Sequence, residues 1–499
     1  MSALRGARST GERPCSDRGG SDRADGATAP ALAPTPSAPA ATAPVATAPV
    51  ATEVSFRHMA AALGVPAFAW YVSSQFLSGL GTWSQALAQG WLVLELTHTA
   101  SSAATWLGTI TMLQFLPLLA FAAIGGAVAD RVSRRRLLVV TQSASAAQAV
   151  LLALLVLAGV VRLWEIGLLA FALGTTNAVN NPAQQAFIPE LVGRPLVADA
   201  VALNSIQFNS ARMLGGAIGG VAVAAWGVSG ALLLNATSFL PAIVVLARLR
   251  PVLSRPPRAG RGAPIWAELR AGVAYVTRTA ALRRVVVMFG VASLFGLNWQ
   301  VVLPLVARFV VHREVTGLGA LMAAFGAGAL AGAVLLARDR RASEHRLVAG
   351  GIALGGALML LGWSRWYGAS LAFVAAGGAA SVVVSITANT RLQLLAPDAL
   401  RGRVMGIYVL LMGGTTPIGA LLVGQVSGRL GPQAALLAVG AATALSIAVI
   451  AVVRRRVARA PAAGEDVAET RAARRAQPGR TSDDGADEST GTRALGREH

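Results

Sequence analysis

Between residues 66 and 453 the chain alternates apolar runs with short breaks, and the breaks hold most of the arginine of that stretch. About 20 apolar residues cover the hydrocarbon core of a bilayer. In that medium only a helix or a closed barrel satisfies its own backbone. Runs of this length with no two-residue alternation predict helices, and twelve are expected at 66–93, 104–129, 137–159, 163–186, 206–226, 228–249, 284–311, 316–337, 347–363, 367–393, 404–427 and 431–453. Short turns near Gly227, Gly230 and Gly431 separate the closest neighbours. The expected class is an all-α membrane protein.

Composition agrees. Charged residues make up 13% of the 499, against roughly a quarter in soluble domains, and the mean hydropathy is +0.58. A net charge of +20 would suit a nucleic-acid binder if it formed a patch. Here the arginines fall between apolar spans, and none of the 43 basic residues is lysine, so no nucleic-acid partner is expected. The single cysteine, Cys15, excludes an intrachain disulfide framework. Residues 1–55 and 454–499 are rich in Ala, Pro, Thr, Ser and charge. Such segments bury too little apolar surface to offset their ordering entropy and read as disordered tails.

Arginine asymmetry sets the expected orientation. With an inside N-terminus, cytoplasmic segments hold 25 arginines and the outer ends and loops hold five: Arg162, Arg308, Arg313, Arg365 and Arg429. Both termini are then cytoplasmic. The longest internal break, 250–283, contains Pro251, Pro256 and Pro257. Within it Ile265, Leu269, Val273 and Val276 recur at helical spacing opposite Glu268 and Arg270, which predicts an amphipathic helix on the membrane surface. The linker divides the spans into six-helix bundles at 56–249 and 284–453. The bundles resemble one another: at an offset of 208, Asn181, Gln185, Pro189 and Glu190 meet Asn389, Gln393, Pro397 and Asp398. Two pseudo-symmetric six-helix bundles are therefore expected.

The break after the second span reads Gly125-Gly126-Ala127-Val128-Ala129-Asp130-Arg131-Val132-Ser133-Arg134-Arg135-Arg136. Positive-inside anchoring accounts for the arginines alone. It does not account for the acid or the glycine pair. Gly125 and Gly126 permit close helix approach, and Asp130 can cap the next helix or pair with a base. The second-half copy, Arg338-Asp339-Arg340-Arg341, has Ala337 where Asp130 stands.

With Gly81-Thr82-Trp83, Gly90-Trp91-Leu92, Gln114-Phe115-Leu116-Pro117, Asn181-Pro182-Ala183-Gln184-Gln185 and Gly402-Arg403-Val404-Met405-Gly406, that loop resembles the major facilitator superfamily over about 55–455. The resemblance is to the bacterial exporter subgroup that includes the enterobactin exporter and macrolide-efflux-like proteins. It implies that Gly126, Asp130, Arg131, Arg134 and Arg135 form a gating relay, with Glu95 and Glu190 as further coupling acids. It also implies a bacterial inner-membrane exporter working by alternating access, with the proton gradient as energy source, no cofactor and a monomeric state. Leu214-Gly215-Gly216-Ala217-Ile218-Gly219-Gly220 is similar to an antiporter signature but lacks its proline.

Polar residues inside spans are costly and mark function or interhelical bonding. Those expected toward a cavity are Gln85, Gln89, Asn177, Asn181, Asn209, Arg212, Asn298, Gln300, Asn389 and Arg391. No carboxylate falls near the middle of a predicted span, so the cavity suits neutral or anionic cargo; Arg212 and Arg391, if they face it, favour anions. There is no P-loop for ATP-driven export. His58, His98, His312, His345 and His499 are too scattered to bind a metal. No enzymatic role is expected. The fold also admits an importer, or a receptor or scaffold that transports nothing.

Overall fold

The structure is a computed structural model that describes residues 61–249, 265–338, 343–397 and 400–459, with backbone alone at 122–127, 129–131, 194, 265–269, 337–338 and 455–459. Both predicted tails lie outside the described residues, except that the last helix runs on to Arg459. All regular structure among the described residues is helical. The helices are α1 (Pro66–Glu95), α2 (Ala100–Arg131), α3 (Arg134–Leu157), α4 (Leu163–Val192) and α5 (Val197–Arg248). A short α6 (Ile265–Arg278) follows, then α7 (Ala280–Val291), α8 (Trp299–Leu305), α9 (Val315–Arg338), α10 (Glu344–Trp363), α11 (Tyr367–Leu395), α12 (Arg401–Leu430) and α13 (Pro432–Arg459).

Among the described residues nine segments are long and apolar enough to cross a membrane, with α7 and α8 forming one interrupted span, Ala280–Val310. One of the nine, α5, is 52 residues long and reverses at Gly227, where φ is 70°. A glycine reaches that backbone region without steric cost, which is why the turn sits where two apolar runs abut. The 30-residue helices α1 and α4 are similar in length but carry more amide and hydroxyl groups.

Two predicted spans need correction. The fifth begins at Val197 rather than at 206, because Asp199, Asn204 and Ser205 interrupt its apolar pattern without ending the helix. The seventh is interrupted: π-helical turns occupy Ala292–Gly296 and Val306–Val310, and Asn298 leaves the helical region. Pro304 lies in the short helix between them, and a proline removes one backbone donor and crowds the preceding turn.

Helix pairing repeats along the chain. In the first half α1 packs on α5, α2 on α4, and α3 on α5; in the second, α9 packs on α11 and α10 on α13, while the π-turn after α7 meets α12. Small residues permit these approaches. A Cβ at Gly174 would lie 2.0 Å from the Gln114 carbonyl oxygen, and one at Gly328 would lie 1.9 Å from that of Ala375. The outer surface is apolar where it faces away from these contacts, with Leu154, Leu168, Val221 and Trp363 exposed, as lipid-facing helices require.

The predicted surface helix is α6, and it is docked rather than free. Val276 is buried, and Gly272 lies against Arg403 at the start of α12. Contact with a helix end replaces part of the lipid contact that its amphipathic pattern implies.

Candidate site: an aromatic cleft around Arg212

Between the two sets of helices lies a small cleft lined by Trp83, Arg212, Trp299, Gln300, Leu303, Met322 and Phe325. These residues come from α1, α5, α8 and α9, so each half contributes a wall. The Arg212 guanidinium carbon sits 5.1 Å from the Trp83 ring centroid and 4.4 Å from that of Phe325. Trp83 meets Phe208 edge-on at 5.8 Å, and Phe325 packs at 5.0 Å on Trp299, whose Nε1 donates to Ser381 Oγ. Among the described residues Arg212 has no carboxylate and no hydrogen-bond acceptor. Cation–π contact with a ring contributes about 0.5–2 kcal/mol, less than the several kcal/mol that desolvating an ion costs.

The cleft is tightly closed toward the arginine-poor end, the end of α1 and the start of α2. There α2 and α12 touch through backbone: a Cβ at Gly108 would lie 2.6 Å from the Ala420 carbonyl oxygen, and one at Gly424 would lie 2.6 Å from that of Ala104. The pair α5–α9 does the same through Gly220 and Gly319, each Cα 3.0 Å from a Cβ built on the other. Near that end Arg308 stacks 5.7 Å from the Trp91 ring, and Trp91 Nε1 donates to Glu95 at 2.7 Å. Glu95 thus holds an aromatic that meets the other half.

The remaining predicted residues divide into three groups. Gln300 joins Arg212 in the cleft. Gln85 does not line it: it donates to Gln148 at 3.0 Å and accepts from Asn235 at 2.6 Å, tying α1 to α3 and to the second limb of α5. A parallel set joins Gln75 to Gln142, Gln184 and Gln207. Asn298 is buried and donates to Leu294, with Gly419 against its amide. Asn209 donates to Ser205 within α5, and Asn389 accepts from Gln393 within α11. Gln89 is buried, Asn177 half-buried and Asn181 exposed, all away from the lining of this cleft.

Charged residues gather at the arginine-rich end. Arg134 is bonded to Glu190, and Arg135 donates to the Leu246 and Ala247 carbonyls, so α3 is tied to the ends of α4 and α5. In the second half Glu344 opens α10 and faces three arginines: Arg284 at 3.3 Å, Arg391 at 3.7 Å and Arg454 at 3.3 Å. Arg391 therefore belongs to this ion cluster and not to the cleft lining. The two arrangements are related with charges exchanged: the base is on α3 and the acid on α4 in one, while the acid is on α10 and a base on α11 in the other. Sequence reasoning missed Glu344, because an acid directly after Ser343 reads as an ordinary helix start. It also missed Met322 and Phe325, since apolar residues in an apolar helix carry no mark of what they face. The side chains of Gly126, Asp130 and Arg131 lie outside the described residues.

Known proteins share both sequence and shape with this chain. The multidrug efflux pump Tap of Mycolicibacterium fortuitum is 28% identical over 72% of this chain and 89% of its own length. The staphyloferrin A transporter of Staphylococcus aureus is 27% identical over 52% of this chain, and the match spans 64% of that protein. The enterobactin exporter EntS of Shigella boydii is 26% identical over 64% of this chain and 76% of its own. In shape the chain is similar to the nucleoside transporter NupG, with a TM-score of 0.61 at 10% identity over 77% of this chain and 98% of that one. It is also similar to a bacterial homologue of the lysosomal transporter Spinster in an inward-facing, unoccupied conformation, with a TM-score of 0.58 at 12% identity over 80% and 96%. The family described as transmembrane secretion effector matches residues 58–476. With that match, the helix pairing and the interhelical cleft, the chain belongs to this family of major facilitator transporters.

Proposed function

We propose that the protein is a secondary transporter that exports a small amphipathic molecule across a bacterial inner membrane, with the Arg212 cleft as its cargo site. One observation carries the reading: a cleft with a wall from each half, shut at one end by glycine contacts between those halves. Two groups whose backbones meet along small-residue seams can rock, and rocking exchanges which end is open. This is the alternating access of two-repeat transporters. The relatives support export, since one is named a multidrug efflux pump and another an enterobactin exporter.

The twelve crossings comprise the nine apolar segments, the second limb of α5, and α1 and α4. Arginine asymmetry puts both termini in the cytoplasm. On that orientation the glycine seams close the outer side, and the cleft belongs to an inward-facing state ready to load. The working unit is one chain in a lipid bilayer, without a cofactor or chemistry on the cargo.

The proton gradient supplies the energy. Acids at helix ends, Asp130 foremost, are the groups to carry that coupling. The experiment is uptake into proteoliposomes of a siderophore or lipophilic drug under an imposed pH gradient. Uptake that collapses with an ionophore supports the proposal, and Asp130→Asn is expected to uncouple it. Absence of movement for every compound, in counterflow as well, favours the scaffold reading.

A further inference from the structure

The geometry points to Arg212 as the residue that selects cargo by charge: the cleft takes a molecule with an anionic group, a carboxylate or sulfonate, on an apolar or aromatic body. This rests on the cleft being the cargo site. Two rings already stack on the guanidinium, at 5.1 and 4.4 Å. Its N–H groups have no acceptor among the described residues, and it borders open space. An arginine in protein stays charged, and a desolvated charge without a partner is unfavourable. Its planar fork matches a carboxylate bidentately. No acid lines the cleft, so nothing there offsets a cationic cargo, and Arg212 repels it. The remaining lining, Trp83, Trp299, Leu303, Met322 and Phe325, is apolar or aromatic and suits the body of the molecule. Gln300 supplies one amide for a neutral polar group.

The other arginines do not share this position. Arg134 has Glu190, while Arg284, Arg391 and Arg454 share Glu344. Arg308 stacks on Trp91 beside Glu95 near the closed end. Arg212 also lies between the halves within the cleft itself. Its Trp83 contact lies within the first half, and its Phe325 contact crosses to the second. When the halves rock apart the Phe325 ring leaves, and a bound anion continues to neutralise the charge. Anionic cargo thus lowers the cost of the transition as well as the cost of binding.

The test uses the full chain in nanodiscs of zwitterionic lipid with three probes of one shape: pyrenebutyrate, pyrenebutyramide and pyrenebutylamine. Energy transfer from Trp83 and Trp299 to pyrene reports binding. The expected result is at least tenfold tighter binding of the carboxylate than of the amide, with the amine weakest. Arg212→Gln should abolish the preference while leaving the amide unchanged, and Arg212→Lys should restore part of it. Equal affinity for all three in the wild type overturns the inference, even if no variant can be purified. So does a loss in Arg212→Gln that is as large for the amide as for the carboxylate, which marks a structural role. Selective binding here, with no movement of any compound in proteoliposomes, would leave this inference standing and remove the exporter reading. Transport without charge preference would do the reverse.

Discussion

A Cβ at Gly424 has nowhere to go while the α2–α12 seam is shut. It would stand 2.6 Å from the Ala104 carbonyl oxygen and 2.9 Å from the Gly108 Cα. Both obstacles are backbone, so no rotamer change relieves them and the helices must separate. Inserting methyl groups into a packed contact costs about 1–3 kcal/mol. If the outward-open state parts this seam, the cost falls on one conformation only, and the equilibrium shifts about 5- to 150-fold away from it. Gly424→Val should therefore populate the outward-open state, and Gly424→Ala should do so less. The assay is a pair of spin labels across each end, in a Cys15→Ser background that removes the native cysteine. Val160 and Trp366 are exposed near the arginine-poor end, and Val132 and Leu394 near the arginine-rich end. In Gly424→Val the 160–366 distance should lengthen and the 132–394 distance shorten. A folded variant with both distributions unchanged would refute the claim that this seam is a gate.

Three further outcomes follow from the same contacts. Glu344→Gln leaves Arg284, Arg391 and Arg454 without their shared carboxylate and should cost roughly 3 kcal/mol, the low end for a broken buried pair because two of the arginines stay partly solvated; the melting temperature should drop, and an unchanged value would show that the cluster contributes no stability. Gln85→Leu orphans the buried amides of Gln148 and Asn235 and should cost about 1–3 kcal/mol, while Gln89→Leu, with no such partners among the described residues, should be nearly silent in the same thermal assay. Arg308→Gln removes the stack on Trp91, worth about 0.5–1 kcal/mol at a partly open site, and should lengthen the 160–366 distance in a minor population.

Much of the architecture is legible from residue order because lipid imposes a strict rule on each helix separately. The reversal at Gly227 sits between apolar runs with almost no polar residue to mark it, so glycine alone signals it, whereas Arg429, Pro432 and Gln433 also mark the turn at Gly431. The start of α5 was hidden because Asp199, Asn204 and Ser205 interrupt its apolar pattern, and hydropathy reports where the membrane ends rather than where the helix ends. The break in the seventh span needs Pro304 and the Asn298 conformation together, and neither decides it locally. The site is less legible. Gln85 and Arg212 are both polar residues within spans, yet one is fully used in bonds between helices and the other has none among the described residues. That difference is set by which face meets which helix, a tertiary fact. Glu344 and its three arginines lie on four segments separated by up to 170 residues, so no short motif contains them.

In the proposed cycle one cleft opens to one side of the membrane at a time. Met322 lines it, and a cysteine there in the Cys15→Ser background can be challenged with a membrane-impermeant maleimide in inside-out and right-side-out vesicles. Labelling is expected to be fast from the cytoplasmic side in the otherwise native chain, and to come from the outer side once Gly424→Val is added. Equal rates from both sides in both proteins would overturn the alternating opening.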